Sequence, residues 1–145
     1  METKLNHLNT MCGNWVTYEG KPYQICSIQE IFPILDTTEF GIGVIDWNNI
    51  SPIPLSELWL LRCDKYTKWP YFGNEHYGGY FSFGMGKKLM VRKWDSGFHL
   101  QIVTVDKKKN IYRKVLELNI KIETVSELQN LMHALKQPIT FKPTE

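Results

Sequence analysis

Cysteine is scarce in this sequence: Cys12, Cys26 and Cys63 are three among 145 residues, odd in number and far apart, with no C-x-x-C. That spacing argues against a disulfide framework and against a zinc knuckle, so free thiols are expected, at least two of them buried. No apolar run approaches the roughly 18 residues that span a bilayer. The opening METKLNHLNTMC has no basic stretch followed by an apolar one, so no secretory signal is read. A cytoplasmic protein with no membrane partner is expected.

Signatures of chemistry are also missing. His7, His76, His99 and His133 are scattered, and none makes H-E-x-x-H or another metal spacing. Glu75-His76 offers an acid/base pair, but neighbours on a loop or strand seldom point at the same atom. No G-x-S-x-G elbow occurs, and whether a cysteine meets a histidine in space is left open. The glycine-rich run GGYFSFGMGKK fails as a phosphate loop, because Phe81 stands where the first glycine belongs and Lys88 where Ser or Thr is required. It also lies between two strand patterns, without the helix N-terminus that holds phosphate in such loops. No metal, cofactor or catalytic residue is therefore assigned, and an enzyme of unrecognised type stays as an alternative.

What is present is the composition of an ordinary globular protein, 43% hydrophobic and 22% charged, at a length that suits a single domain over residues 1–145. The clearest pattern is Trp15 to Ile28. Val16 and Tyr18 alternate with Trp15 and Thr17, then Tyr23, Ile25 and Ser27 alternate with Gln24, Cys26 and Ile28, about a hinge at Glu19-Gly20-Lys21-Pro22. A period of two on both sides of a turn predicts a β-hairpin. Ile34-Leu35 and Phe40 to Ile45 read as further strands about a turn at 36–39, with Gly41 and Gly43 suggesting a bulge. Asp46 to Asn49 turns the chain.

Ser51-Pro52-Ile53-Pro54 cannot be helical. Ser56 is a good N-cap for a short helix through Leu58, Trp59, Leu60 and Leu61, apolar on nearly every side and so expected to be buried. From Tyr77 onward four runs form a meander: Tyr77 to Phe83, Lys88 to Trp94, Phe98 to Val105 and Ile111 to Ile122. Asp95-Ser96-Gly97 suits a hairpin loop whose last position needs positive φ. Thr124 with Glu127 makes a capping box for a helix to Leu135, with Val125, Leu128, Leu131, Met132 and Leu135 on one stripe. Pro138 stops it, and Ile139 to Phe141 reads as a final edge strand. Val16, Ile25, Leu116, Leu118, Leu128, Leu131 and Leu135 are the expected core.

Charge is uneven. Residues 87–114 hold Lys87, Lys88, Arg92, Lys93, Lys107, Lys108, Lys109, Arg113 and Lys114 against Asp95 and Asp106, a net of +7, while the rest of the chain is at −5. Trp94, Tyr80, Phe81, Phe83, Phe98 and Tyr112 are interleaved with them. Such a mixture can track phosphates and stack bases, although neither an RNP-type nor an OB-fold signature is present. The plainer reading is that these lysines are solvent faces and protected edges of strands.

Three segments carry a resemblance. They are Gly13-Asn14-Trp15-Val16 with Tyr18 and Gly20 to Ile25; Pro52 to Glu57 with Leu60-Leu61; and Leu128-Gln129-Asn130-Leu131 with Ala134-Leu135. In that order the chain resembles small uncharacterised proteins of phages, prophages and mobile elements of Bacteroides-like bacteria. Lys65 to Asn110 matches no pattern, and Lys136-Gln137-Pro138 replaces the Thr-Gly-Glu-Glu type of ending. The Gly-x-x-Val-x-Tyr-x-Gly-Lys opening also resembles the first hairpin of SH3-like barrels.

The resemblance implies an accessory protein that binds and inhibits a host protein or ribonucleoprotein, most sharply an anti-CRISPR or other anti-defence inhibitor. Contact with RNA or DNA through the basic segment is the alternative. The expected fold is α+β: a bent antiparallel sheet or partly open SH3-like barrel with a four-stranded meander, packed by two short helices.

Overall fold

The computed structural model describes residues 4–29, 32–37, 41–68, 77–82, 87–94, 97–108 and 111–142. The fold is α+β with antiparallel sheets, one of them strongly curled. The chain divides into two compact units, Met1–Pro54 with Thr124–Pro138, and Leu55–Glu123 with Ile139–Pro143.

In the first unit, β1 (Trp15–Tyr18) and β2 (Lys21–Gln29) form the predicted hairpin. Its turn is only Glu19-Gly20, whose φ values of 50° and 76° are both positive, as a two-residue type I′ turn demands. Lys21 and Pro22 belong to β2. Pro22 faces Thr17 one step from the pair that closes the turn, where residues exchange no hydrogen bonds, so its missing N–H is not called for.

β3 (Phe32–Thr37), β4 (Gly41–Val44) and β5 (Ile50–Pro52) complete a sheet ordered β4-β3-β2-β1-β5. Two expectations are corrected here. Asp36 and Thr37 lie in β3, not in a turn, and the β3–β4 register is regular at Gly41 and Gly43. The irregularity is instead in β2, where Cys26 is the extra residue between Ile25 and Ser27. Leu5, Val16, Ile25, Leu35, Ile45 and Ile50 form the core of this unit, with Tyr18, Tyr23, Ile28 and Trp47 packed on it.

The second unit opens on α1 (Glu57–Arg62), capped as predicted by Ser56, whose Oγ accepts from the Trp59 N–H at 3.3 Å. Burial on all sides does not follow. Leu60 is 1% exposed, but Leu58 is 74% and Leu61 50% exposed, because a helix of under two turns offers one stripe to its sheet. The tail after α2 makes a single bridge, Cys63 with Phe141, where an edge strand was expected.

β6 (Tyr66–Lys68), β7 (Tyr77–Ser82), β8 (Lys87–Trp94), β9 (Gly97–Lys108) and β10 (Ile111–Ile122) form a second sheet in the order β10-β9-β8-β7-β6. The four-stranded meander is thus present with one unpredicted strand, β6, whose three residues are too few to show a period. Tyr66 lies across Gly79, where a Cβ would run into its ring and the Thr67 carbonyl, and its ring meets that of Phe81 at a tilt of 56°, centroids 5.5 Å apart. Burial, with the Glu57 carboxylate nearby, pushes the Tyr66 phenol up to about 12 from 10.0.

A phenol that stays protonated longer in the folded state stabilises it fully below pH 10.0, and that contribution is lost as pH rises toward about 12. Urea midpoints should therefore fall as pH rises from 10.0 toward about 12 in the wild type, and fall less in Tyr66→Phe, which has no phenol to ionise.

By register, Phe81, Leu89, Val91, Phe98, Leu100 and Ile122 share one face of this sheet, and all are buried. In β10 the even alternation expected from Leu116 to Ile122 is broken. Glu117 is an extra residue between the pairs Leu116–Val103 and Leu118–Ile102, so Leu118, Ile120 and Ile122 share the core face while the Leu116 position falls on the other. The side chains of Leu116 and Leu118 lie outside the described residues.

α2 (Val125–Ala134) belongs to the first unit. Thr124 Oγ1 accepts from the Glu127 N–H at 3.2 Å. Val125, Leu128 and Met132 are fully buried, whereas Leu131 and Leu135 are only half-buried and His133 is exposed. The buried stripe, which also takes in Ser126 and Gln129, is centred on the line through Val125 and Met132 and is turned round the helix from the predicted stripe centred on Leu128, because Gln129 rather than Leu131 turns toward β1.

The Gln129 Oε1 accepts from the Trp15 N–H at 2.9 Å, and its Nε2 donates to the Gly13 carbonyl at 2.9 Å. Asn14, fully buried, donates from Nδ2 to Asn130 Oδ1 at 3.0 Å and accepts the Met11 N–H at 2.9 Å. Asn130 Nδ2 in turn donates to the Asn9 carbonyl at 2.9 Å. Two of the three segments that carry the resemblance are therefore joined through a structural lock of side-chain amides.

The end of α2 is closed by Gln137 N–H to Met132 C=O and Lys136 N–H to His133 C=O, both 2.9 Å. This Schellman arrangement puts Lys136 at φ 59°, a position that glycine occupies without strain. Lys136→Gly should raise stability by about 1 kcal/mol, read as a higher urea midpoint.

Candidate functional site

The basic residues divide into two groups at opposite ends of β8. Lys87 and Lys88 open it, opposite Thr104 and Val103 of β9; Arg92, Lys93 and Trp94 close it, opposite His99, Phe98 and Gly97. Four residues of extended chain, about 13 Å, separate Lys88 from Arg92.

Lys107 and Lys108, expected in a loop, are strand residues. β8 pairs with β9 only as far as Thr104, and β10 is the outermost strand of its sheet. Beyond that level β9 and β10 continue, with no third strand among the described residues, through the pairs Val105–Lys114, Asp106–Arg113, Lys107–Tyr112 and Lys108–Ile111. Among the described residues this is a two-stranded arm roughly 13 Å long. The Glu117 bulge stands at its base, where an extra residue bends and twists a ribbon away from its sheet.

Lys107, Lys108, Arg113 and Lys114 are therefore brought together on the arm, with Lys87 and Lys88 at its root. Lys109 lies outside the described residues. Asp106 is the one acidic residue in 105–114, and it is paired in register with Arg113.

The other group is built differently. Lys93 is exposed and places its Nζ 5.5 Å from the ring centroid of Phe98, its cross-strand partner, a cation–π contact. Arg92 is half-buried, and its Nε is enclosed without a hydrogen-bond partner among the described residues. On the same face by register, Met90 and Gln101 are buried and Tyr80 and His99 half-buried. Of the aromatics considered for base stacking, Phe81 and Phe98 are core residues, 1% and 7% exposed. Phe83 and the side chains of Trp94 and Tyr112 lie outside the described residues.

The thiols also depart from expectation, since Cys12 and Cys26 are exposed and only Cys63 is buried. Burial pushes the Cys63 thiol up to about 11, leaving little of the nucleophilic thiolate at neutral pH. Two thiols should titrate with a disulfide reagent in the native protein, and the third only after denaturant is added.

Among the described residues no group of three His, Cys, Asp or Glu could hold a metal ion, and no helix is long and apolar enough to cross a membrane. Glu75-His76 and the Gly84-Met85-Gly86 connection lie outside the described residues. No family model matches the chain, and neither a curated protein nor a solved structure matches it.

Proposed function

We propose that this chain is a non-enzymatic accessory protein of a phage or mobile element, acting in the cytoplasm by binding and inhibiting a host macromolecule. An anti-CRISPR or other anti-defence inhibitor is its sharpest form. The observation that carries the binding part is the arm: the positions of six basic residues, Lys87, Lys88, Lys107, Lys108, Arg113 and Lys114, fall at one end of the second sheet, around a ribbon whose outer edges pair with no other strand among the described residues. Protection of edges against pairing accounts for a lysine or two on such strands. It does not account for six at one end, with arginine among them. The accessory context comes from the resemblance, whose residues build the turn, the hairpin and the amide lock.

The test is affinity capture from lysate of a Bacteroides-like host, with and without nuclease, using the wild type and a chain in which residues 107–112 are replaced by Asn-Gly. The Asp106–Arg113 pair then flanks a two-residue turn in the register that such turns close. A stoichiometric partner captured by the wild type and lost with the shortened arm is expected, together with impaired host defence when the wild type is expressed. Capture of nothing, or defence unaffected, would overturn the reading.

A further inference from the structure

The turn that leads into β1 is set by its glycine. Asn14 N–H donates to the Met11 carbonyl at 3.1 Å across Cys12-Gly13, and Gly13 stands at φ 90° while Cys12 keeps a negative φ. This is a type II turn, whose third position demands a positive φ. Gly13 N–H then donates to the Ile25 carbonyl at 2.6 Å, and Ile25 N–H donates to the Asn14 carbonyl at 2.9 Å. Gly13 and Asn14 thus oppose the single residue Ile25, a bulge of the kind that a left-handed glycine opens.

The residues flanking the first of those bonds are both cysteines. Cys12 immediately precedes its donor and Cys26 immediately follows its acceptor, so the two are neighbours across the pairing. In a regular ladder such neighbours have Cα atoms about 4.5 Å apart. A disulfide accepts roughly 4.4 to 6.8 Å, which leaves room for the bulge. Cys26 is also the extra residue of β2 against β3, a position that re-aims a side chain out of the pleat. Both thiols are exposed, and Cys63 is buried.

We propose that Cys12 and Cys26 form a reversible redox switch, a dithiol that a small-molecule disulfide oxidises to an intramolecular disulfide. The thiolate of one cysteine attacks the reagent, forming a mixed disulfide and releasing one reagent thiolate. The second cysteine attacks the protein sulfur of that mixed disulfide, the Sγ–Sγ bond forms, and the second reagent thiolate leaves. Two electrons pass to the reagent, and the two thiol protons end on its thiols. Disulfides of reducing compartments are of this transient, sensing kind. The closed ring spans residues 12–26 and clamps the turn whose Gly13 carbonyl and Asn14 side chain meet Gln129 and Asn130 of α2. Oxidation therefore stiffens the amide lock.

The experiment equilibrates the full chain with a series of reduced and oxidised glutathione ratios, then reads intact mass and linked peptides. The wild type should lose two hydrogens, retain no glutathione, and yield one linked pair of peptides joining Cys12 to Cys26, reversed by excess reduced glutathione. Cys12→Ser and Cys26→Ser should each hold one glutathione instead, because the attacking partner is gone. Serine at these exposed positions keeps the fold, which circular dichroism checks. Oxidised wild type should show a higher urea midpoint than reduced, since closing a ring of about 15 residues lowers the unfolding constant on the order of a hundredfold. Glutathione retained on both cysteines of the wild type, linkage between two chains, linkage to Cys63, or a lower urea midpoint on oxidation would overturn the inference.

Discussion

Asn14→Ala is expected to lower stability by about 2 to 4 kcal/mol, although Asn14 touches no predicted functional residue. Its side chain is completely buried and serves two partners, accepting the Met11 N–H and donating to Asn130. Truncation strands both, and each buried polar group left unmade costs about 1 to 3 kcal/mol. Asn130, half-buried, can recover part of its share from water, which sets the upper limit below a full double loss. Asn14→Asp should be nearly as damaging, because a carboxylate can accept from Met11 but cannot donate to Asn130 Oδ1, and its charge would be enclosed. Urea titration followed by circular dichroism measures both. A loss under about 0.5 kcal/mol for Asn14→Ala would mean that water substitutes for the amide and that the lock is dispensable.

Leu128→Ala should cost about 2 to 5 kcal/mol, the range for a leucine cut from a packed interior. Leu131→Ala should cost well under half of that, since Leu131 is only half-buried while Leu128 has no exposed surface. Comparing the two on one helix cancels propensity effects and reads the buried stripe directly. Equal costs would put the stripe where the sequence pattern alone places it.

That rotation of the stripe shows what was legible and what was not. Apolar spacing located α2, its cap at Thr124 and its stop before Pro138. It could not show that Gln129, a polar residue, occupies the position facing β1, because the reason lies in the backbone groups of Gly13 and Trp15, more than a hundred residues away in sequence. The hairpin at Glu19-Gly20 was readable because its turn chemistry is local. The Cys26 and Glu117 bulges were not, since an unmatched residue is defined by the partner strand.

The basic residues were found by counting charge. Their division into an arm and a sheet end depends on where β8 stops pairing with β9, which no composition reveals. α1 misled for the same reason: four apolar residues in a row say that something is buried, and only the short length of the helix and its single neighbouring sheet leave Leu58 and Leu61 in solvent.

The most direct test of the arm as the binding element is amide hydrogen exchange, followed by mass spectrometry, with and without the partner captured from host lysate. Slower exchange in 105–108 and 111–114, extending to Lys87 and Lys88, with β1 to β5 unchanged, is the predicted result. Unchanged exchange along the arm, or protection confined to the first sheet or to Arg92 through Trp94, would contradict it.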